Sequence, residues 1–268
     1  MYLGLDLGTS GVKALLIDES QRIVASATGA LEVSRPHAGW SEQDPAQWIA
    51  ATEEAISALK SSHGDALAAV RGIGLSGQMH GATLLGEDDK PLRPCILWND
   101  TRSHREAAEL DADPRFREIT GNIVFPGFTA PKLVWVQRNE PETFSRTAKV
   151  LLPKDYLRLW LTGEHISEMS DAAGTAWLDV KERRWSADLL EATALTEGHM
   201  PRLVEGTERA GTLRAELAGR WGMGSNVVVA GGAGDNAASA CGAGTVKPGA
   251  AFVSLGTSGV LFASNATY

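Results

Sequence analysis

The stretch LGTSGV occupies Leu7–Val12 and returns unchanged as Leu255–Val260. Before the first copy, Leu3, Leu5 and Leu7 alternate with small or polar residues, as along a strand with one buried face. GTSG is a turn by chemistry, because glycine tolerates positive φ and Thr and Ser hydroxyls bond nearby amides. VKALLIDE follows as a second strand and RIVASATGALEV as a third, an opening antiparallel meander. AAFVSLGTSGVLFAS repeats the strand, turn, strand pattern at the other end. A merely connecting turn has no reason to recur as six identical residues, so a shared task is expected of both.

Between the copies, helix and strand alternate. Asp44-Pro45-Ala46-Gln47 reads as a helix start: Asp44 caps, Pro45 suits the first turn, and Gln47 stands at the capping-box position. Trp48, Thr52, Ala55, Ile56 and Leu59 then recur at helical spacing, which predicts a helix to about Ser61. Short buried strands are predicted at Val70–Ser76, Ala82–Gly86 and Cys95–Asp100. Helices are predicted over Arg105–Leu110, Thr129–Asn139 and Lys154–Leu161, and a further strand over Asn226–Gly232. The order predicts an α/β fold.

The composition narrows the function. The 268 residues carry 25 basic and 33 acidic side chains, a formal charge of −8. No basic field exists to displace counterions from a nucleic acid or to dock on an anionic membrane. The apolar share of 43% supports a real core. Cys95 and Cys241, with no short spacing, form neither a disulfide framework nor a zinc site and read as reduced thiols. MYLGLDLGTS lacks the basic start and apolar run of a signal peptide, and no stretch approaches the ~20 apolar residues of a membrane span. The expected compartment is the cytoplasm.

Three places could carry chemistry. In DLGTSGVK, a strand delivers Asp6 to a glycine-rich turn whose amides can hold phosphate oxygens, with Thr9, Ser10 and Lys13 adding donors and charge. A carboxylate beside phosphate is electrostatically wrong unless a cation lies between, so Asp6 is a candidate for holding Mg²⁺, directly or through water. The Walker spacing is absent. The plain alternative is an ordinary hairpin, and only the repeat weighs against it. The second copy has Ser254 where the first has Asp6. Two cradles with one carboxylate suit a nucleotide lying between two related domains.

In GGAGDNAAS, Asp235 and Asn236 fall at a helix N-terminus, which favours the anionic carboxylate. Asp235 can accept the proton of an alcohol that attacks phosphorus. Read locally, a simple cap is the stronger alternative. In SGQMHGA, at a strand end, Gln78 and His80 can bond sugar hydroxyls and Met79 can pack a sugar face. A lone histidine is more often structural. WNDTR offers a similar cluster, equally readable as an Asp100–Arg102 ion pair. Two stretches imitate a dinucleotide fingerprint. GIGLSG lies inside a strand with no helix after it. GAGDNA would set Asp235 against a pyrophosphate and lacks the downstream acid for a ribose.

Over nearly its whole length the chain resembles the N-terminal half of the FGGY family of carbohydrate kinases. The resemblance rests on YLGLDLGTSGVKALLID, RPHAGWSEQDPAQW, GLSGQMHGATLL, LRPCILWNDTR, PGFTAPKLVWVQ, LLPKDYLRLWLTGE, SDAAGTAWLDV, GGAGDNAA and SLGTSGV. It implies a ribonuclease H-like, actin-like fold of two domains flanking a cleft, each opening with its own meander. Residues 1–247 would then be the sugar-binding domain, and 248–268 the start of the next. It implies ATP and Mg²⁺, with Asp235 as general base and Asp6 as the Mg²⁺-linked carboxylate. Met79, His80 and Asn236, with Gln78 beside them, resemble sugar contacts. Gly8, Thr9, Ser10 and Lys13 would lie towards the nucleotide phosphates, as would Gly256, Thr257 and Ser258. QMHG replaces the Arg-Glu pair of glycerol kinases, which favours a ketopentose, D-xylulose, phosphorylated on its 5-hydroxyl. Alternatives are another ketose or polyol, or sugar binding without catalysis, because most adenine contacts of the family lie in the other half. The surface that half would cover makes self-association, as a homodimer, a further expectation.

Overall fold

The structure is a computed structural model that describes residues 1–255 and 259–266. The expected meander is present as β1 (Tyr2–Leu7), β2 (Gly11–Ile17) and β3 (Ile23–Ala30), paired antiparallel in that order. The strand Gly72–Gly77 lies parallel to β1 on its other edge. Val228–Ala230 runs parallel beyond it, and Arg209–Thr212 closes the edge antiparallel.

Alternation decides which face is buried. Leu3, Leu5 and Leu7 of β1 and Val12, Ala14 and Leu16 of β2 are all at most 1% exposed. Burying each leucine contributes about 2 kcal/mol relative to leaving it in water. The cover is helix α1 (Pro45–Ala68) together with the helices Pro153–Thr162 and Ala215–Trp221. Gly29 is what lets α1 approach β3: a Cβ there would stand 2.3 Å from the Ala51 carbonyl oxygen. The opposite face presents Gly4, Asp6, Lys13 and Gly74 to a cleft.

Several expectations need adjustment. Asp44 does cap α1, accepting from the Ala46 amide at 2.9 Å. Gln47 forms no capping box, because its amide oxygen accepts from the Glu32 amide of the preceding segment instead. The helix passes Ser61 and runs to Ala68 through non-helical backbone at His63. The strand expected over Cys95–Asp100 is paired only at Cys95–Ile96, because Asp100 turns back to accept from the Ser41 amide. Helices His104–Asp111, Thr129–Asn139 and Pro153–Thr162 stand where expected.

Residues from between Ala82 and Met200 form a second core beside the sheet, which includes Phe116, Leu133 and Trp177. The final hairpin, Ala251–Leu255 with Gly259–Ala263, forms a two-stranded sheet of its own.

Candidate functional site

The cleft on the open face measures about 730 Å³, and Asp6, Lys13, Ser76 and Asp235 are among its lining residues. Asp6 is exposed at the end of β1, directly opposite Lys13 of β2. The Ser76 hydroxyl donates to Asp6 Oδ1, and Oδ2 has no hydrogen bond among the described residues. Asp235 opens the helix Asp235–Gly242. Its Oδ1 accepts from the Asn236 amide at 2.7 Å and from Asn236 Nδ2 at 3.1 Å. Oδ2 is again without a partner among the described residues. Burial raises the Asp235 pKa above the usual carboxylate value, the Asn236 amide pulls it down, and the negative charge of Asp6 raises it further. The two carboxylates therefore sense each other across one cleft.

A kink in the backbone places Asp235. Val228–Val229 pairs with Gly72–Ile73, and Ala233–Gly234 pairs further along the same strand with Ser76–Gly77. Gly231 and Gly232 step between them. Gly232 has φ of +76°, and a Cβ on it would stand 2.1 Å from the Leu75 carbonyl oxygen. Only glycine fits such a step.

The hairpin between β1 and β2 is braced by side chains from other segments. Gln43 Nε2 donates to the Thr9 carbonyl at 2.7 Å, and Trp98 Nε1 donates to Thr9 Oγ1 at 3.0 Å. Thr9 Oγ1 donates to Gln78 Oε1, and Gln78 Nε2 donates to Gln43 Oε1. Gln78 is 2% exposed. The structure thus commits Gln78 to the hairpin, away from the sugar-facing place expected of it. Gly8, Thr9 and Ser10 sit at the turn, and among the described residues no side chain braces Gly8 or Ser10. Gly256, Thr257 and Ser258 lie outside the described residues.

Met79 and His80 follow the strand end as expected. His80 has φ of +67°, and the Gly81 amide donates to the Met79 carbonyl across it. This is a tight, strained turn for a non-glycine residue. Lys132, fully buried, holds it by donating to the His80 carbonyl at 2.8 Å and to the Gly127 carbonyl at 2.7 Å. Burial brings the Lys132 pKa down to about 7. The His80 ring stacks on Phe128 with centroids 4.8 Å apart, and Nδ1 donates to the Gly174 carbonyl at 2.7 Å. Burial lowers its pKa to about 4, partly opposed by the Gly174 bond and assisted by the Lys132 charge. At neutral pH His80 is an uncharged ring whose Nε2 is an acceptor.

Two glycines bring the second and third regions together. A Cβ on Gly234 would stand 2.8 Å from Met79 Sδ, and one on Gly174 would stand 2.4 Å from His80 Cε1. The Met79–His80 turn therefore packs against the residue preceding Asp235. Gly174, Lys132 and Gln43 escaped sequence reading. The only signal was the presence of their stretches among the family-like ones. Asp100 and Arg102 form the buried ion pair foreseen as one reading, at 2.7 Å, with Arg102 also reaching Glu42.

The described residues contain no cluster of three or more His, Cys, Asp or Glu suited to a metal. Asp6 could still contribute to a metal site that needs fewer protein ligands. Mg²⁺ keeps most of its waters and takes one or two carboxylates plus substrate phosphates. An exposed carboxylate with an open oxygen, facing a second carboxylate and a polar turn, offers that.

The profile of the N-terminal domain of the FGGY family of carbohydrate kinases matches residues 1–242. The chain belongs to the FGGY family. Xylulose kinase of Escherichia coli is 57% identical over 264 residues, which cover 98% of this chain and 54% of that protein. A solved xyloylose kinase from Brucella ovis is 74% identical with a TM-score of 0.98, covering 100% of this chain and 55% of that one. Xylulose kinase of Rhodospirillum rubrum is 32% identical with a TM-score of 0.95 and the same two coverages. The chain spans about half the length of the curated relatives it matches. The fold is the actin-like one of this family, in mixed α/β form. No helix among the described residues is long and apolar enough to cross a membrane.

Proposed function

We propose that this FGGY chain forms the sugar-binding side of a kinase that transfers the γ-phosphate of ATP to the 5-hydroxyl of D-xylulose. The observation that carries the reading is the half-buried Asp235, with one oxygen tied to Asn236 and the other open. It shares a cleft with Asp6 and lies next to the Met79–His80 turn. The names of the relatives in the 32–74% identity range support the sugar.

The chemistry assigned is positioning and charge neutralisation, as phosphoryl transfer requires. Asp235 Oδ2 accepts the proton of the attacking hydroxyl while Oδ1 stays anchored. Its raised pKa makes it a better base than an exposed aspartate. Asn236 and the neutral His80 Nε2 bond sugar hydroxyls, and Met79 covers an apolar face of the sugar. Gly8, Thr9, Ser10 and Lys13 meet the nucleotide phosphates, joined by Gly256, Thr257 and Ser258 from the second hairpin. Asp6 would hold Mg²⁺, directly or through water, and the ion would neutralise charge on the transferred phosphate. The segment 248–268 is assigned to the start of the family's second domain, and the cytoplasm to the protein. A homodimer would cover apolar residues such as Ile23, 69% exposed.

Calorimetric titration with D-xylulose, using D-xylose and glycerol as controls, tests the reading. Saturable binding of D-xylulose that is lost in His80→Ala supports the assignment. Glycerol binding more tightly than D-xylulose would overturn it.

A further inference from the structure

Beneath the Gly231–Asp235 kink lies a group of charges that the chemistry above does not use. Lys154, Asp155 and Arg158 come from the helix Pro153–Thr162, and Glu168 and Asp171 from the segment after it. All five are at most 2% exposed. Lys154 Nζ lies 3.2 Å from Asp155 Oδ1 and 3.4 Å from both Glu168 Oε1 and Asp171 Oδ2. Arg158 Nη1 meets Asp155 Oδ1 at 2.7 Å. Two cations and three carboxylates share one dry site. Burial raises the Asp171 pKa well above normal, which Lys154 opposes and Asp155 and Glu168 reinforce.

A buried ion group is a poor way to gain stability, because desolvation offsets most of the attraction. What sets this one apart is where its spare hydrogen bonds go. Arg158 Nη2 donates to the Gly231 carbonyl. Glu168 accepts from the Ser170 and Asp171 amides and from the Ser170 hydroxyl. Ser170 Oγ in turn accepts from the Gly234 amide at 3.1 Å. The kink is thus gripped at both ends, at Gly231 and at Gly234, and the next residue is Asp235. The same group underlies the sugar side too, since a Cβ on Gly77 would lie 3.2 Å from Lys154 Cβ.

We propose that this ion group is a positioning device for Asp235: Arg158 and Ser170 are positioning residues that fix the Gly231–Gly234 kink and so aim the carboxylate. The proposal rests on the reading of Asp235 as the base. A purely structural group would have no need to spend one donor and one acceptor on the two ends of this loop. A misplacement of about 1 Å in a reacting group costs up to about 100-fold in rate.

The test is Ser170→Ala beside Asp235→Asn in the whole protein, with kcat and KM for D-xylulose measured for both and hydrogen exchange followed at the Gly234 amide. Ser170 is half-buried, so the alanine variant should fold. The expected result is a kcat loss of about 10- to 100-fold with KM changed less than about threefold, faster Gly234 exchange, and recovery of kcat in Ser170→Thr. If Ser170→Ala keeps kcat within about twofold while Asp235→Asn is inactive, the base stands and the positioning device falls. If Asp235→Asn stays active, the base reading fails and the proposal falls with it. Should Ser170→Ala not fold, Arg158→Lys gives the same kcat against KM readout, because lysine keeps the charge and loses the fork that reaches Gly231.

Discussion

The two LGTSGV hairpins have the same six residues and unlike surroundings. In the first, Leu7 faces Val12 and Asp6 faces Lys13. In the second, Leu255 faces Gly259 and Ser254 faces Val260. The registers differ by one residue, which changes the side chains that share a face. Leu7 is fully buried, whereas Leu255 is 83% exposed. The first hairpin has a parallel strand on one side, β3 on the other, and helix α1 on its apolar face. Among the described residues the second pairs only with itself, and an isolated two-stranded hairpin is marginal in water. Six residues specify a turn between strands, and neighbours specify which face is buried and how firmly the turn is held.

The largest effect should come from making the first hairpin resemble the second at the position that precedes the repeat. Asp6→Ser installs the residue that the second hairpin carries as Ser254. On the proposed role of Asp6, loss of its carboxylate should lower kcat by about 100- to 1000-fold, with D-xylulose affinity little changed. Steady-state kinetics check this, and a loss under about threefold would remove Asp6 from the chemistry. The pH profile sharpens the point. As the proposed base Asp235 would act when ionised, so kcat should fall as pH drops through its pKa. Burial raises that pKa, and the Asp6 charge adds to the rise. In the residual activity of Asp6→Ser the acid limb should therefore move to lower pH.

Next in size is the bracing that only the first hairpin is shown to have. Gln43 Oε1 accepts from Trp48 Nε1 at 3.0 Å and from Gln78 Nε2 at 2.9 Å, while Gln43 Nε2 serves the Thr9 carbonyl. Gln43→Ala would remove the partner of four polar groups, the Glu32 carbonyl included, in a largely buried place. The expected cost is about 2–4 kcal/mol in stability, read by denaturant unfolding. A change below about 0.5 kcal/mol would mean that water replaces the amide and that the turn is held by its strands alone.

These braces mark the limit of what sequence reading reached. The meander was legible because period-two alternation and a glycine turn are local signals. Thr129–Asn139 was legible for the matching reason at helical period. The Gly231–Gly232 step was visible as a glycine turn, but its partners, Glu205 to Glu208 and Leu75, are distant in sequence. Gln43, Lys132 and Ser170 have no local signature at all. Each reaches the site through a bond to a residue distant in sequence: Gln43 to Thr9 across 34 residues, Lys132 to His80 across 52 and Ser170 to Gly234 across 64. Gln78 shows the converse error. A polar residue at a strand end looks like a ligand until its amide is found spent on the chain itself. His80 was chosen from its place after a strand, while its neutral state follows from burial against Phe128, which no spacing reveals.

The smallest effect separates the hairpins most sharply, because it compares the same glycine in two settings. A Cβ on Gly11 would lie 2.8 Å from the Gly29 carbonyl oxygen and 3.2 Å from Thr28 Cγ2. The carbonyl belongs to a paired backbone and cannot move aside cheaply. Gly11→Ala should therefore cost about 1–3 kcal/mol from overpacking, reduced by the ~0.4–1 kcal/mol that replacing a glycine gains through the unfolded chain. At Gly259 the nearest atom to a Cβ is Leu255 Cδ2 at 3.5 Å, the tip of an exposed side chain. Only the unfolded-chain term remains there, so Gly259→Ala should be neutral or stabilising by less than about 1 kcal/mol. Paired thermal unfolding curves measure both. Equal losses at the two positions would mean that the turn itself, in both copies, requires glycine. Loss at Gly11 alone would mean that the requirement lies in the β3 strand beside it, a neighbour the second hairpin does not have among the described residues.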